Sequence, residues 1–151
     1  MFSRADQVFM RQALELAKQA KGEGEVPVGA VLTLNDLPIA TAYNQSITHQ
    51  DPTAHAEIIV LREAAKILKN YRLVNTVLYV TLEPCAMCAG ALIHARVKRL
   101  IYATADPRTG ACGSIFNLIN HQALNHQIQY ESGLLAEESK LLLQQFFQKR
   151  R

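Results

Sequence analysis

The chain has 151 residues, 49% of them hydrophobic and 19% charged, with a net charge of +3. This is ordinary globular composition, and the length suits one domain spanning residues 1–151 with a substantial core. No apolar run approaches the roughly 18 residues that a membrane span needs, and Met1-Phe2-Ser3-Arg4-Ala5-Asp6 lacks the apolar core of a signal peptide, so the expected compartment is the cytoplasm.

Phe9, Ala13, Leu16, Ala17 and Ala20 recur at helical spacing and predict an amphipathic helix over residues 4–21. Gly22-Glu23-Gly24 breaks it. Val26 to Leu34 reads as a strand, and Asn35-Asp36 as the turn into a second strand through Tyr43, making an antiparallel hairpin. Asp51-Pro52 predicts an N-cap and a first-turn proline for a helix reaching Leu68. Its Ile58, Ile59, Val60, Leu61, Ala64, Ala65 and Leu68 predict burial against a sheet. Thr76 to Leu82 reads as a buried strand, Pro84 as the start of a short helix, and Arg99 to Ala103 as a further strand. This alternation favours a central sheet with parallel strands and helices on its faces. Residues 127–130 add a last strand, and residues 136–148 a final helix carrying Leu141, Leu142, Phe146 and Phe147.

Charge is unevenly distributed along these elements. Residues 1–61 carry four Lys and Arg against seven Asp and Glu, and residues 62–151 carry twelve against six. Arg96, Lys98 and Arg99 cluster, and Lys149-Arg150-Arg151 closes the chain. Such asymmetry is compatible with an anionic partner such as nucleic acid and also with ordinary solvated surface.

Two short motifs carry the chemistry. His55-Ala56-Glu57 supplies an imidazole with a carboxylate two residues on, and Pro84-Cys85-Ala86-Met87-Cys88 supplies two thiols three apart. Three cysteines are too few and too oddly numbered for a disulfide framework, and a reducing compartment suits thiolate ligands. Catalytic zinc keeps one coordination position open, whereas structural zinc usually closes four protein ligands around the metal. Starting from their prolines, the two helices place His55, Cys85 and Cys88 in first turns. There the positive end of the helix dipole favours thiolate, and residues three apart share a face. A fourth protein ligand, His94 or Cys112, would instead make the site structural, and the Cys-x-x-Cys pair alone is also compatible with redox chemistry. Neither alternative gives Glu57 a task.

The pattern matches the H-x-E…P-C-x-x-C signature of zinc nucleobase deaminases. More widely, the chain resembles the bacterial tRNA-specific adenosine deaminases of the cytidine/deoxycytidylate deaminase superfamily. The resemblance is carried by Glu25-Val26-Pro27-Val28-Gly29-Ala30-Val31, Asp51-Pro52-Thr53-Ala54-His55-Ala56-Glu57, Asn70-Tyr71-Arg72-Leu73 and Thr81-Leu82-Glu83-Pro84-Cys85-Ala86-Met87-Cys88-Ala89-Gly90-Ala91. Asp106-Pro107-Arg108-Thr109-Gly110-Ala111-Cys112-Gly113-Ser114 and Phe146-Phe147 extend it.

That resemblance implies an α/β fold, a cytidine deaminase-like three-layer α/β/α sandwich with a central mixed five-stranded sheet. It implies a homodimer acting on a tRNA anticodon stem-loop, where the wobble adenosine becomes inosine. One zinc per subunit at His55, Cys85 and Cys88 and a proton-shuttling Glu57 follow from it, with Asn44, Asp106 and Phe147 as substrate contacts. Read as residues alone, Asn44 serves equally to end a strand, Asp106 to make an Asp-Pro turn, and Phe147 to fill core.

Overall fold

The computed structural model describes residues 1–150. Its elements are α1 (Arg4–Gly22), β1 (Gly29–Leu34), β2 (Leu37–Tyr43), α2 (Ala56–Leu68), β3 (Thr76–Leu82), α3 (Ala86–Ala95), β4 (Arg99–Thr104), β5 (Gln129–Ser132) and α4 (Ala136–Lys149). Of the C-terminal basic residues, Arg151 lies outside the described residues. The strands form one sheet ordered β2-β1-β3-β4-β5. β1 pairs antiparallel with β2 and β3, whereas β3–β4 and β4–β5 are parallel. The hairpin closes through Asn35 and Asp36, both at positive φ (53° and 59°), as a two-residue type I′ turn requires.

Strand alternation sorts the core into two layers. Val31, Tyr79 and Ile101, neighbours across β1, β3 and β4, face α1 and pack on Phe9, Met10 and Ala13. Ala30, Leu32, Leu78, Val80 and Leu100 face the other way, onto Val60, Leu61 and Ala64 of α2 and Ala89, Leu92 and Ala95 of α3. With α4 lying beside α1, the result is the expected three-layer α/β/α sandwich around a mixed five-stranded sheet. Ser139 of α4 donates its hydroxyl to the Thr81 carbonyl at 2.6 Å, and Arg11 of α1 pairs with Glu138.

α1 opens on a reciprocal cap, Ser3 accepting from the Asp6 amide and Asp6 from the Ser3 amide, both at 3.0 Å. Asp6 also accepts from Arg99 at 3.0 Å and from the Tyr79 hydroxyl at 2.8 Å, while Arg99 reaches Glu131 of β5 at 2.6 Å. Burial pushes the Asp6 carboxyl up, but the Arg99 guanidinium, the Ser3 amide and Tyr79 outweigh it and hold the group below the usual carboxylate range. Arg99 is therefore part of the scaffold, not of a free basic surface.

Several boundaries differ from the sequence reading, among them the last strand, at Gln129–Ser132 instead of 127–130, and α3, which starts at Ala86 instead of Pro84. β1 begins at Gly29 instead of Val26, because the Val28 amide turns back to the Val26 carbonyl at 2.8 Å and closes a tight turn around Pro27 just before the strand. α2 begins at Ala56 instead of near Pro52. Asp51 accepts from the amide and hydroxyl of Thr53 at 2.8 and 2.7 Å, a local turn that uses up the capping carboxylate before the helix starts. The far end of α2 is also less buried than its composition suggests, with Ile67 and Leu68 exposed.

Candidate metal centre

α3 leaves the carboxyl end of β3 and returns to the start of β4, and α2 returns to the start of β3. Both helices therefore begin at one end of the sheet, outside the carboxyl ends of its parallel strands, where open α/β sheets place their ligands. His55 is the N-cap of α2 and Cys85 the N-cap of α3, with Cys88 three residues further on. The later start of α2 thus places His55 at the cap itself.

His55 Nδ1 stands 3.6 Å from Cys85 Sγ and 3.5 Å from Cys88 Sγ, and the three donor atoms all lie within 4.8 Å of one another. Tetrahedral zinc with thiolates at about 2.3 Å and imidazole at about 2.0 Å sets sulfur and nitrogen roughly 3.5 Å apart. The donor set and spacing fit zinc. Among the described residues neither His94 nor Cys112 joins this group. His94 is exposed; Cys112 is fully buried, its thiol 3.9 Å from the Pro84 carbonyl.

The thiols of Cys85 and Cys88 are coupled. The neighbouring Cys88 thiol lowers Cys85 most, burial opposes it, and His55 adds to the lowering, bringing Cys85 down to about 4. Cys88 moves far upward, because it hydrogen-bonds to that thiolate and is buried. A metal ion bound between them would favour the thiolate form of both. His55 is raised by its hydrogen bond to Cys85, against its burial and with help from Glu57.

Glu57 lies in the first turn of α2, two residues from His55 and 4% exposed. Burial is the main cause that pushes its carboxyl up, to about 7. It makes no ion pair among the described residues.

Two loops flank this centre, each fastened to a buried carboxylate that the sequence reading did not single out. Glu25, between α1 and β1, accepts from the Ile47 amide at 3.1 Å and from the Thr48 amide and hydroxyl at 2.6 Å. Glu83, between β3 and Cys85, accepts from the amides of Asp106, Cys112 and Ser114, each at 3.0 Å. The available signal was a carboxylate set in an apolar stretch beside proline, at Glu25-Val26-Pro27 and Leu82-Glu83-Pro84.

The expected substrate contacts divide. Asn44, just past β2, turns its side-chain oxygen to the Ala56 amide at 2.8 Å and so caps α2 from outside the helix. Asp106 receives the amides of Arg108 and Thr109 at 3.0 and 3.2 Å and the Thr109 hydroxyl at 2.8 Å, an Asx turn on the second loop. Of the aromatic pair on α4, Phe146 is buried and Phe147 is 48% exposed. Arg150 lies over the Phe146 ring at 4.6 Å and donates to the Gly24 carbonyl at 2.6 Å, tying α4 to the α1–β1 turn. At the opposite end of the sheet, Arg72, Arg96, Lys98 and His126 line a depression of about 410 Å³.

A family profile described as the cytidine and deoxycytidylate deaminase zinc-binding region matches residues 3–104. The tRNA-specific adenosine deaminase of Haemophilus influenzae is 54% identical over 151 residues, 99% of this chain and 87% of that one. The chain belongs to the tRNA-specific adenosine deaminase family. The family's Bacillus subtilis member is 44% identical over 97% of this chain and 91% of its own. A structure from a study of A-to-I editing by tRNA:A34 deaminases at the wobble position superposes with a TM-score of 0.87. It is 43% identical to this family member, covering 90% of this chain and 99% of that one. A guanine deaminase structure from Nitrosomonas europaea shares the fold at a TM-score of 0.81 and 24% identity, covering 97% of this chain and 85% of that one.

Proposed function

We propose that this chain hydrolyses adenosine to inosine at the wobble position of a tRNA anticodon loop, using one zinc held by His55, Cys85 and Cys88. The observation that carries this reading is the convergence of those three donor atoms on two helix N-termini with Glu57 buried beside them. Bound there, zinc supplies Lewis-acid chemistry, lowering the pKa of water towards about 7.

Glu57 is the proton carrier. Its carboxyl takes a proton from the attacking water and delivers it to a purine ring nitrogen, then takes the remaining proton of the added hydroxyl and passes it to the amine that leaves C6 as ammonia. Water adds its oxygen, the C6–N bond breaks, and the carboxyl ends as it began. The side-chain amide of Asn44, its oxygen engaged by α2, faces the base as a donor. Asp106, whose carboxylate keeps acceptor capacity beyond its turn, meets a ribose 2′-hydroxyl, and Phe147 supplies an aromatic contact. An anticodon-loop base is already unpaired, which lowers the cost of flipping it.

The basic depression at Arg72, Arg96 and Lys98 supports contact with phosphates, as does the exposed Arg108. A homodimer belongs to the same reading: Ile67, Leu68, Tyr71 and Met87 are exposed on and after α2 and on α3, a surface a second copy would cover. So does the cytoplasm, a reducing compartment that holds tRNA; no helix is long and apolar enough to cross a membrane. The test is incubation with total bacterial tRNA followed by sequencing. Adenosine read as guanosine at the wobble position is the expected result, and turnover of free guanine or cytosine with tRNA untouched would overturn it.

A further inference from the structure

We infer that Glu83 is a positioning residue, a charged staple that holds the loop from Asp106 to Ser114 in its substrate-contacting shape. This rests on the function proposed above. Glu83 is 2% exposed, yet among the described residues no cation pairs with it. A buried carboxylate is retained only where hydrogen bonds replace its lost hydration. Here every replacement comes from one loop. Oε1 receives the Asp106 amide and the Ser114 hydroxyl, and Oε2 receives the Cys112 and Ser114 amides.

The loop is built around that carboxylate. A Cβ at Gly110 would overlap the Glu83 carboxyl, so only glycine lets the loop close over it. Gly110 in turn pairs with Cys85 as an isolated antiparallel bridge, and the Ala111 amide donates to the Pro84 carbonyl at 2.9 Å. The loop is thus fastened at both sides of the segment Glu83-Pro84-Cys85 that leads into α3. Asp106 is the first residue so held, and its own side chain organises the next turn. A neutral acceptor cannot do the same work. The amide group of glutamine has one oxygen and a donor NH₂, which faces a backbone N–H of the loop whichever way it is turned.

Glu83→Gln separates this role from a merely structural one. Three readouts on the zinc-loaded protein are needed: metal content, hydrogen exchange at individual amides, and kinetics on an anticodon stem-loop RNA. The expected result is unchanged zinc and faster exchange confined to the Asp106, Cys112 and Ser114 amides. KM should rise about tenfold with kcat within about twofold, as losing a buried charge-assisted hydrogen bond from a binding loop implies. Lost folded protein would instead lower kcat with KM unchanged, and that outcome, or unaltered loop exchange, overturns the inference. If Glu83→Gln does not fold, Ser114→Ala removes a single hydroxyl donor, and the same pattern at about threefold is expected. A wild-type protein inert on the RNA would sink the function proposed above, while the exchange pattern alone would still decide whether Glu83 holds the loop.

Discussion

Asp6 and Glu57 are both buried carboxylates, one beneath α1 and the other at the head of α2, and they sit on opposite faces of the same sheet. Asp6 is surrounded by donors, including a guanidinium, and its carboxyl is held low. Among the described residues Glu57 pairs with no cation, and burial pushes its carboxyl up to about 7. The same residue chemistry at similar depth thus gives a rivet in one place and, on the proposed function, a proton carrier in the other. Partners decide which, and perturbed carboxyls mark function only where no partner explains the burial.

The sharpest test on the Glu57 side removes its setting. Cys85→Ala with Cys88→Ala should take zinc from about one per chain to near none, by elemental analysis, and abolish deamination. Undiminished metal would show that the donor atoms lie elsewhere. Glu57→Gln should keep zinc and the thermal unfolding midpoint while lowering the deamination rate by about 10²–10⁴-fold; loss of zinc in that variant would make Glu57 a ligand and end the contrast with Asp6.

On the Asp6 side the effect should fall on stability. Arg99→Ala leaves two carboxylates without their cation and should cost about 3 kcal/mol in denaturant unfolding, with activity of the folded protein unchanged. The pH dependence has a definite sign. Asp6 is held below its ordinary value, so its contribution is complete above about pH 4, where the unfolded chain is ionised, and is lost as pH falls through the lower folded value. Asp6→Asn should flatten that acid-side loss in thermal melts taken between pH 6 and pH 2. The smallest expected effect concerns Asp106. Asp106→Asn should reduce the preference for an RNA hairpin over the matched DNA by a few-fold, read as a ratio of rates; equal wild-type rates on both would remove the ribose contact altogether.

The fold was largely legible because its periodicities are strong. β3 runs from Thr76 to Leu82 as expected, and α1 ends within one residue of the expected limit. The clustering of His55, Cys85 and Cys88 was legible for a different reason, since a metal site needs particular atoms at particular spacings. What stayed hidden depends on partners distant in sequence. Arg99 reads as one of three neighbouring cations until Asp6 is brought against it, more than ninety positions away. Glu25 and Glu83 stand in the sequence only as members of longer motifs, and their tasks show once loops fold over them. The start of α2 was misplaced because Asp51 spends its carboxylate on Thr53, and the cap arrives from Asn44 on another element.

That borrowed cap ties recognition to evolvability. Asn44 answers two demands through one short side chain: its oxygen completes the helix that presents His55 and Glu57, and on the proposed function its nitrogen meets the base. Few residues can accept at such short reach, so the position is closed to most of the substitutions that would retune a pocket. A lineage shifting towards another nucleobase would have to change the neighbouring loops first and leave this asparagine until last.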